Sequence, residues 1–329
     1  MKYYRYKDEK SITCILCKHY CTLKEGKHGI CGINYNEEGE LVNKTYGHPS
    51  AVHIDPIEKK PLYHFLPSSK SLSIGTVGCN FRCPFCQNYS ISQTTQINEK
   101  SNYSPRELVD LAVAYGTQSI SYTYNEPTIW YPYAKDIGVL AKQRGLKNVF
   151  VSSGYESAEV LEDMKSWLDA ANIDLKSFSH EYYKKVLKTN LDGVLESLIA
   201  FAKSDIWLEI TTLLVPGIND SEEEINKMAE FISTELGIDI PWHFSAFHPD
   251  YKMLDTPHTS MATMQKAREI AYSHGIKYVY LGNIQNDSST YCHRCKSKLV
   301  DRIGFRSHME TIVDSKCASC GEFIKGVWS

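Results

Sequence analysis

From residue 72 to about 281 this chain alternates short apolar runs with segments of helical periodicity, and that alternation limits its fold more than any other feature. The apolar runs read as buried strands: Leu72-Ser73-Ile74-Gly75-Thr76-Val77, then 119–123, 148–151, 171–175, 207–215, 242–245 and 278–280. Helix starts stand between them. Ser104-Pro105-Arg106-Glu107 places Ser at the N-cap, Pro at the first helical position and Glu at the third, and Ser221 with Glu224 makes a second capping box. Further helices are expected over about 130–144, around Val160, Met164 and Trp167, over 179–203 as one or two pieces, and over 260–273. Such repetition predicts parallel strands with helical crossovers, as an open doubly wound sheet or as a full or partial barrel. In either form ligands gather where the strands end. The polar residues at those places are Cys79 to Cys86, Asn125-Glu126, Ser152-Ser153-Gly154, Asp174 with Lys176, and His248.

The eleven cysteines form three groups, with none between Cys86 and Cys292. An odd number in clustered C-x2-C pairs favours metal over disulfides. The middle group, Cys79, Cys83 and Cys86, has C-x3-C-x2-C spacing directly after the first strand, with aromatic Phe85 between its last two members. An iron–sulfur cluster is normally held by four thiolates, so three within eight residues point to a [4Fe–4S] cluster with one iron free for another ligand. The N-terminal group, Cys14, Cys17, Cys21 and Cys31, lies among Gly26, Gly29 and Gly32 and suits zinc or an auxiliary cluster. The C-terminal group, Cys292-His293-Arg294-Cys295 and Cys317-Ala318-Ser319-Cys320, reads as a zinc ribbon whose metal is structural. The expected organisation is a Cys-rich segment and proline-bearing arm over 1–71, an α/β core over 72–281, and a ribbon-like module over 282–329.

A formal charge of −3 gives no nucleic-acid footprint and no basic membrane patch. The N-terminus lacks the apolar stretch of a signal peptide, and no apolar run is long enough to span a membrane. With these cysteines, the expected location is a reducing cytoplasm.

A cubane held by three thiolates leaves one iron open to an amino-acid-like chelator, the arrangement for radical generation from S-adenosylmethionine. On Cys79, Cys83 and Cys86 after a first strand, the chain resembles the radical S-adenosylmethionine superfamily over about 72–281. That resemblance implies a partial (β/α)6 barrel, TIM-like, with the cluster loop after strand one. Asp174-Leu175-Lys176, Val215 to Asp220 and His248 are similar to stretches of pyruvate formate-lyase activating enzymes. Asp55 to Leu66, Cys79 to Gln93, Tyr124 to Pro127 and both terminal cysteine sets resemble the AmmeMemoRadiSam family of radical enzymes.

By that resemblance, Cys79, Cys83 and Cys86 hold the cluster, and Glu126, Ser152, Ser153, Asp174 and Lys176 hold S-adenosylmethionine. His248 stands at the open end facing substrate. Two positions depart from the activating enzymes: Val151 replaces an aspartate near a cation, and Glu209 replaces an arginine. The resemblance further implies reductive cleavage of S-adenosylmethionine and hydrogen abstraction from a substrate. The substrate is a protein glycine, as in glycyl-radical activation, or alternatively a small molecule or another protein. A flavodoxin or ferredoxin donor and AMMECR-like and Memo-like partner proteins are implied with it. The competing reading of a different class is an interaction protein that uses its cysteines for structural zinc.

Overall fold

The computed structural model describes residues 2–8 and 10–329. The N-terminal segment is a meander of short antiparallel strands: β1 (Tyr4–Asp8), β2 (Ser11–Cys14) and β3 (Thr22–Lys24) form one sheet, and β4 (Asn34–Glu37) with β5 (Glu40–Asn43) a hairpin. Then comes β6 (Ala51–Pro56), which pairs antiparallel with β7 (Lys70–Gly75). After β7 the chain runs through the short α1 (Tyr89–Ser92), α2 (Pro105–Ala114), β8 (Ser119–Tyr122), α3 (Tyr131–Gln143), β9 (Lys147–Ser152), α4 (Ala158–Met164) and β10 (Ala170–Asp174). It continues through α5 (His180–Tyr182), α6 (Leu191–Ala202), β11 (Trp207–Leu214), α7 (Glu222–Phe231), β12 (Trp242–Ala246), α8 (Met261–Ser273) and β13 (Val279–Gly282).

Strands β7 to β13 are parallel and lie side by side in sequence order. Successive right-handed crossovers between nearest neighbours put every helix on the same face. The sheet therefore curls around its other face, giving six strand–helix units and a seventh strand, the expected partial barrel. The strand cores are buried on both sides, which is why they read as continuous apolar runs and not as alternating ones. The capping box forms as expected at Ser104 with Glu107; at α7 Ser221 accepts from the Glu224 amide, but the Glu224 carboxylate turns to Ser177 Oγ and the Phe178 amide, so the second box does not close. The segment over 179–203 is divided by a widened turn at Tyr183–Leu187 and by Lys188 at a φ of 62°, after which Asn190 caps α6.

Strand β6 was not legible in the sequence. Its Pro56 and the prolines around it mask the pairing, yet an edge strand tolerates proline because one side needs no ladder. The arm after it plugs the end of the barrel where the parallel strands begin: Ile57, Leu62 and Phe65 pack on Val149 of β9 and Ala170 of β10. The C-terminal module contains β14 (Thr290–Tyr291), β15 (Lys298–Ile303), β16 (Arg306–Met309), β17 (Ile312–Val313) and β18 (Lys316–Cys317). It touches both edges of the open barrel. Tyr280 of β13 bonds Thr290 Oγ1 at 2.7 Å, and Ser68, just before β7, donates to the Ser307 carbonyl at 2.6 Å. No helix of the described residues is long and apolar enough to cross a membrane.

Candidate active site

The loop after β7 carries Cys79, Cys83 and Cys86, and all three line a cavity of about 250 Å³ at the ends of the parallel strands. Around the same cavity stand Asn125 after β8, Ser153 after β9, Asp174 and Lys176 at the end of β10, and His248 after β12. Residues as far apart in sequence as Cys79 and His248 thus meet because the parallel strands end at one rim.

Asn125 ties the cysteine loop down. Its side-chain nitrogen donates to the Gly78 carbonyl at 2.9 Å and to Thr76 Oγ1 at 3.1 Å, and its oxygen accepts from the Thr76 amide at 3.2 Å. At the loop's far end, Asn88 donates to the Tyr124 carbonyl at 2.8 Å. The Phe81 amide points at Cys79 Sγ at 3.4 Å, and Ser92 Oγ lies 3.1 Å from Cys86 Sγ. Burial pushes the Cys79 and Cys83 thiols up, Cys83 to about 12; the Glu126 charge adds to Cys79, while Lys176 opposes the rise at Cys83. Thiols held this way ionise when a cation takes the charge.

Lys176 Nζ bonds Asp174 Oδ2 at 2.6 Å. Burial alone would lower its amine; the Asp174 and Cys83 charges outweigh burial and hold it above the ordinary lysine range. Asn219 braces this strand end by donating to the Lys176 carbonyl at 2.8 Å. His248 packs against His258 with Nδ1 to Nδ1 at 2.5 Å, so one imidazole must donate and the other accept.

Two residues expected to bind a cofactor stand behind the cavity wall. Glu126 is buried, and its carboxylate accepts from the Thr128 amide and hydroxyl, from Ser152 Oγ at 2.8 Å and from the Ser153 amide at 2.8 Å. Oε1 takes the Thr128 and Ser152 donors and Oε2 the Ser153 amide; Ser153 lines the cavity, whereas Glu126 and Ser152 stand behind it and position Ser153. A second acid, Glu156, shares the Ser152 and Thr128 hydroxyls. Each hydroxyl has one proton to give and cannot serve two carboxylates; the Thr128 and Ser153 amides favour charge on Glu126, so the shared proton sits on Glu156. Its carboxyl is pushed up to about 7, by burial first and the Glu126 charge second.

The sequence marks Asn125 with Glu126 as a polar residue at a strand end, but not as the side chain that holds the cysteine loop. No spacing signal marks the roles of Asn88 or Glu156. Glu209, noted as a departure, is remote from the cavity lining; it holds the arm through the amides of Tyr63 and His64 at 3.0 and 2.7 Å. Val151 lines a second, larger cavity of about 1650 Å³, which shares Gln87, Asn88, Tyr124 and Asn283 with the first.

The two terminal cysteine sets differ in geometry. Cys292, Cys295, Cys317 and Cys320 have sulfurs all within 4.8 Å of one another. Two of the contacts are 3.7 and 3.6 Å. A tetrahedral ion with sulfurs at about 2.3 Å needs edges of about 3.8 Å, so the donor set fits a single metal ion. Among the described residues no other group of three or more ligating side chains converges so tightly. Neither the Cys79 set nor the N-terminal set does.

Comparison with known proteins agrees with this geometry. The Radical SAM superfamily profile matches residues 73–232. An uncharacterised protein of Methanocaldococcus jannaschii is 40% identical over 328 residues, covering 98% of this chain and 97% of its own. The pyruvate formate-lyase-activating enzyme of Clostridium pasteurianum is 22% identical over 54% of this chain and 80% of its own. Among solved structures, SuiB of Streptococcus suis bound to S-adenosylmethionine shares the fold, with a TM-score of 0.53 at 12% identity over 70% of this chain and 53% of that one. Three cysteines at C-x3-C-x2-C on the loop after the first parallel strand of an open barrel, together with these matches, place the chain in the radical SAM superfamily.

Proposed function

We propose that this protein holds a [4Fe–4S] cluster on Cys79, Cys83 and Cys86 and uses it to cleave S-adenosylmethionine. The observation that carries this reading is the convergence of the three thiols with Ser153, Asp174 and Lys176 on one cavity. When bound, the cluster supplies one electron that breaks the cofactor into methionine and a 5′-deoxyadenosyl radical, which takes a hydrogen atom from the substrate. Lys176, charged and paired with Asp174, is placed to offset the cofactor carboxylate, and Ser153 offers polar contacts beside it. His248 borders the open end, where substrate enters.

The test is anaerobic reconstitution followed by product analysis. With S-adenosylmethionine and dithionite, the wild-type chain is expected to form 5′-deoxyadenosine and Cys83→Ala none. A protein that takes up zinc but no iron, and forms no adenosyl product, would instead be the structural zinc protein.

For the substrate, likeness to an activating enzyme supports a protein glycine. A specific observation favours a small molecule as the second reading. Arg302 lines the larger cavity and is buried; its guanidinium bonds Thr290, the Ser288 carbonyl and the Tyr63 carbonyl, and pairs with no carboxylate among the described residues. A buried guanidinium without an anion invites one from a ligand. A glycyl-radical signal on an added partner protein decides for the first reading; 5′-deoxyadenosine formation that depends on an anionic metabolite decides for the second.

The resemblance of both terminal cysteine sets supports membership of the AmmeMemoRadiSam family, with AMMECR-like and Memo-like partners and a flavodoxin or ferredoxin donor. Zinc is the metal we assign to the C-terminal four cysteines, on their spacing. Eleven free thiols support a cytoplasmic location.

A further inference from the structure

We propose that the larger cavity is the substrate chamber and that it takes a small hydrophilic molecule whose carboxylate or phosphate is held by Arg302, so that the C-terminal module is part of the substrate site. That the ligand is the substrate rests on the small-molecule reading above; that an oxyanion binds at Arg302 does not.

Register places the chamber. Asp174 of β10, Thr211 of β11, His243 of β12 and Tyr280 of β13 are direct partners along one row of the sheet. Residues in register on parallel strands point to the same side. Asp174 lines the cysteine cavity, and Thr211, His243 and Tyr280 line the larger one. One row of inward side chains therefore runs from the cofactor side into the chamber. The two spaces also share Gln87, Asn88, Tyr124 and Asn283, so a ligand in the chamber reaches the cavity of the three thiols. A closed barrel fills this interior with bulky branched side chains. Here the row is Thr, His and Tyr, beside a space of about 1650 Å³.

Three parts of the chain build the walls. The arm gives Tyr63, the strands give Thr211 and His243, and the module gives Arg302. Arg302 lies on β15 and is 3% exposed. Its Nη2 donates to the Tyr63 carbonyl at 2.6 Å and its Nη1 to Thr290 Oγ1 at 2.6 Å. The guanidinium lies 4.2 Å from the centre of the Tyr63 ring and 5.9 Å from that of Tyr280. These contacts fix its plane and leave its charge unmatched. Its Nε is buried without a partner among the described residues.

The remaining lysines of the chamber differ from Arg302 in having carboxylates. Lys59 and Lys60 pair with Asp55 at 3.2 and 2.8 Å, and Lys298 with Asp301 at 2.6 Å. The other two lining acids take neutral donors. Glu58 accepts from the Ser68 amide at 3.0 Å and from the Ser307 hydroxyl, and Asp287 from the Ser289 amide at 2.9 Å and the Tyr291 hydroxyl at 2.6 Å. A buried cation without a counter-charge is costly, and a guanidinium fork matches a carboxylate or a phosphate.

The inward row supplies the polar end of the chamber. Thr211 is 8% exposed, and its Oγ1 has no partner among the described residues. Burying a hydroxyl unpaired costs stability unless a ligand takes it. Thr211 stands two strands from Tyr280, about 10 Å toward the cofactor side. It therefore meets the uncharged part of a ligand whose anion sits on Arg302. Between them, His243 gives Nε2 to Glu209 at 2.6 Å, which leaves Nδ1 for the ligand.

The experiment titrates the full chain, reconstituted anaerobically with iron, sulfide and zinc, with inorganic phosphate and with succinate at an ionic strength held constant with chloride. Calorimetry is expected to give one saturable site per chain for at least one of the two, and the tighter of them assigns phosphate or carboxylate. In Arg302→Gln the affinity should fall about tenfold or more, as loss of a charge-assisted pair predicts, and Arg302→Lys should recover part of it. In wild type the bound anion should slow amide exchange at Tyr63, His64 and 298–303 and not at 316–320, a reading that needs no variant to fold. No saturable binding of either anion overturns the proposal. So does equal binding in Arg302→Gln, or slowed exchange confined to segments away from Arg302. Arg302-dependent binding in a chain that forms no adenosyl product sinks the proposed function and leaves the oxyanion site standing. Adenosyl product without anion binding sinks the site and leaves the cofactor chemistry standing.

Discussion

Glu209 is buried, and four donors converge on it: the amides of Tyr63 and His64, Trp207 Nε1 at 3.0 Å and His243 Nε2 at 2.6 Å. Although burial pushes its carboxyl up, His243 chiefly holds it below the usual range. Glu209→Ala leaves these donors buried without an acceptor and is expected to cost about 3–5 kcal/mol, read from chemical denaturation. Glu156 has the opposite sign. Its folded pKa of about 7 lies above the ordinary value of 4.5, so the folded state holds a proton that the unfolded chain has released. Stability therefore falls as pH rises between those values and the loss is complete above the higher one, on the order of 3 kcal/mol in all. Glu156→Gln mimics the protonated acid and is expected to flatten that dependence; urea midpoints at roughly pH 5 and pH 8 measure it. Sequence reading found Glu126 and not its partner, because a carboxyl's proton is set by which hydroxyls surround it in space.

At the scale of elements, the C-terminus behaves as a clasp on the arm. The Val327 amide bonds the His64 carbonyl and the Leu66 amide bonds the Val327 carbonyl, both at 2.7 Å. Trp328 packs against His64 with ring centroids 5.0 Å apart. Trp328→Ala is expected to cost about 3–5 kcal/mol and to speed amide exchange at Leu66 and Val327 more than in β10, as hydrogen-exchange mass spectrometry would show. The parallel strands were readable because burial on both faces writes them as apolar runs. Strand β6 and the arm's docking were not, since an edge strand beside prolines and a plug of Ile57, Leu62 and Phe65 have no period of their own.

For the whole molecule, the open barrel needs its gap covered, and the ribbon-like module does this from both edges. Arg302 of that module also stacks over Tyr63 at 4.2 Å, linking module, arm and cavity. Removing the C-terminal metal with a chelator under reducing conditions is expected to lower the melting temperature. It should also raise exchange in 57–68 before the strands loosen, because metal affinity is folding energy for so small a module. Equal loosening of the arm and the central strands would show that the module does not close the barrel.

The sequence by itself determined the strand–helix alternation, the three cysteine groups and the loop that carries Cys79, Cys83 and Cys86, because local spacing along the chain encodes each of them. It also marked Asp174, Lys176 and His248 as polar residues at strand ends. Only the tertiary structure decided that Glu126 and Ser152 support the cavity from behind and that Glu209 serves the arm. It alone drew one cysteine set to the spacing of a single ion while leaving two wider. Those outcomes depend on distances between residues far apart in the chain, and such distances are fixed by packing.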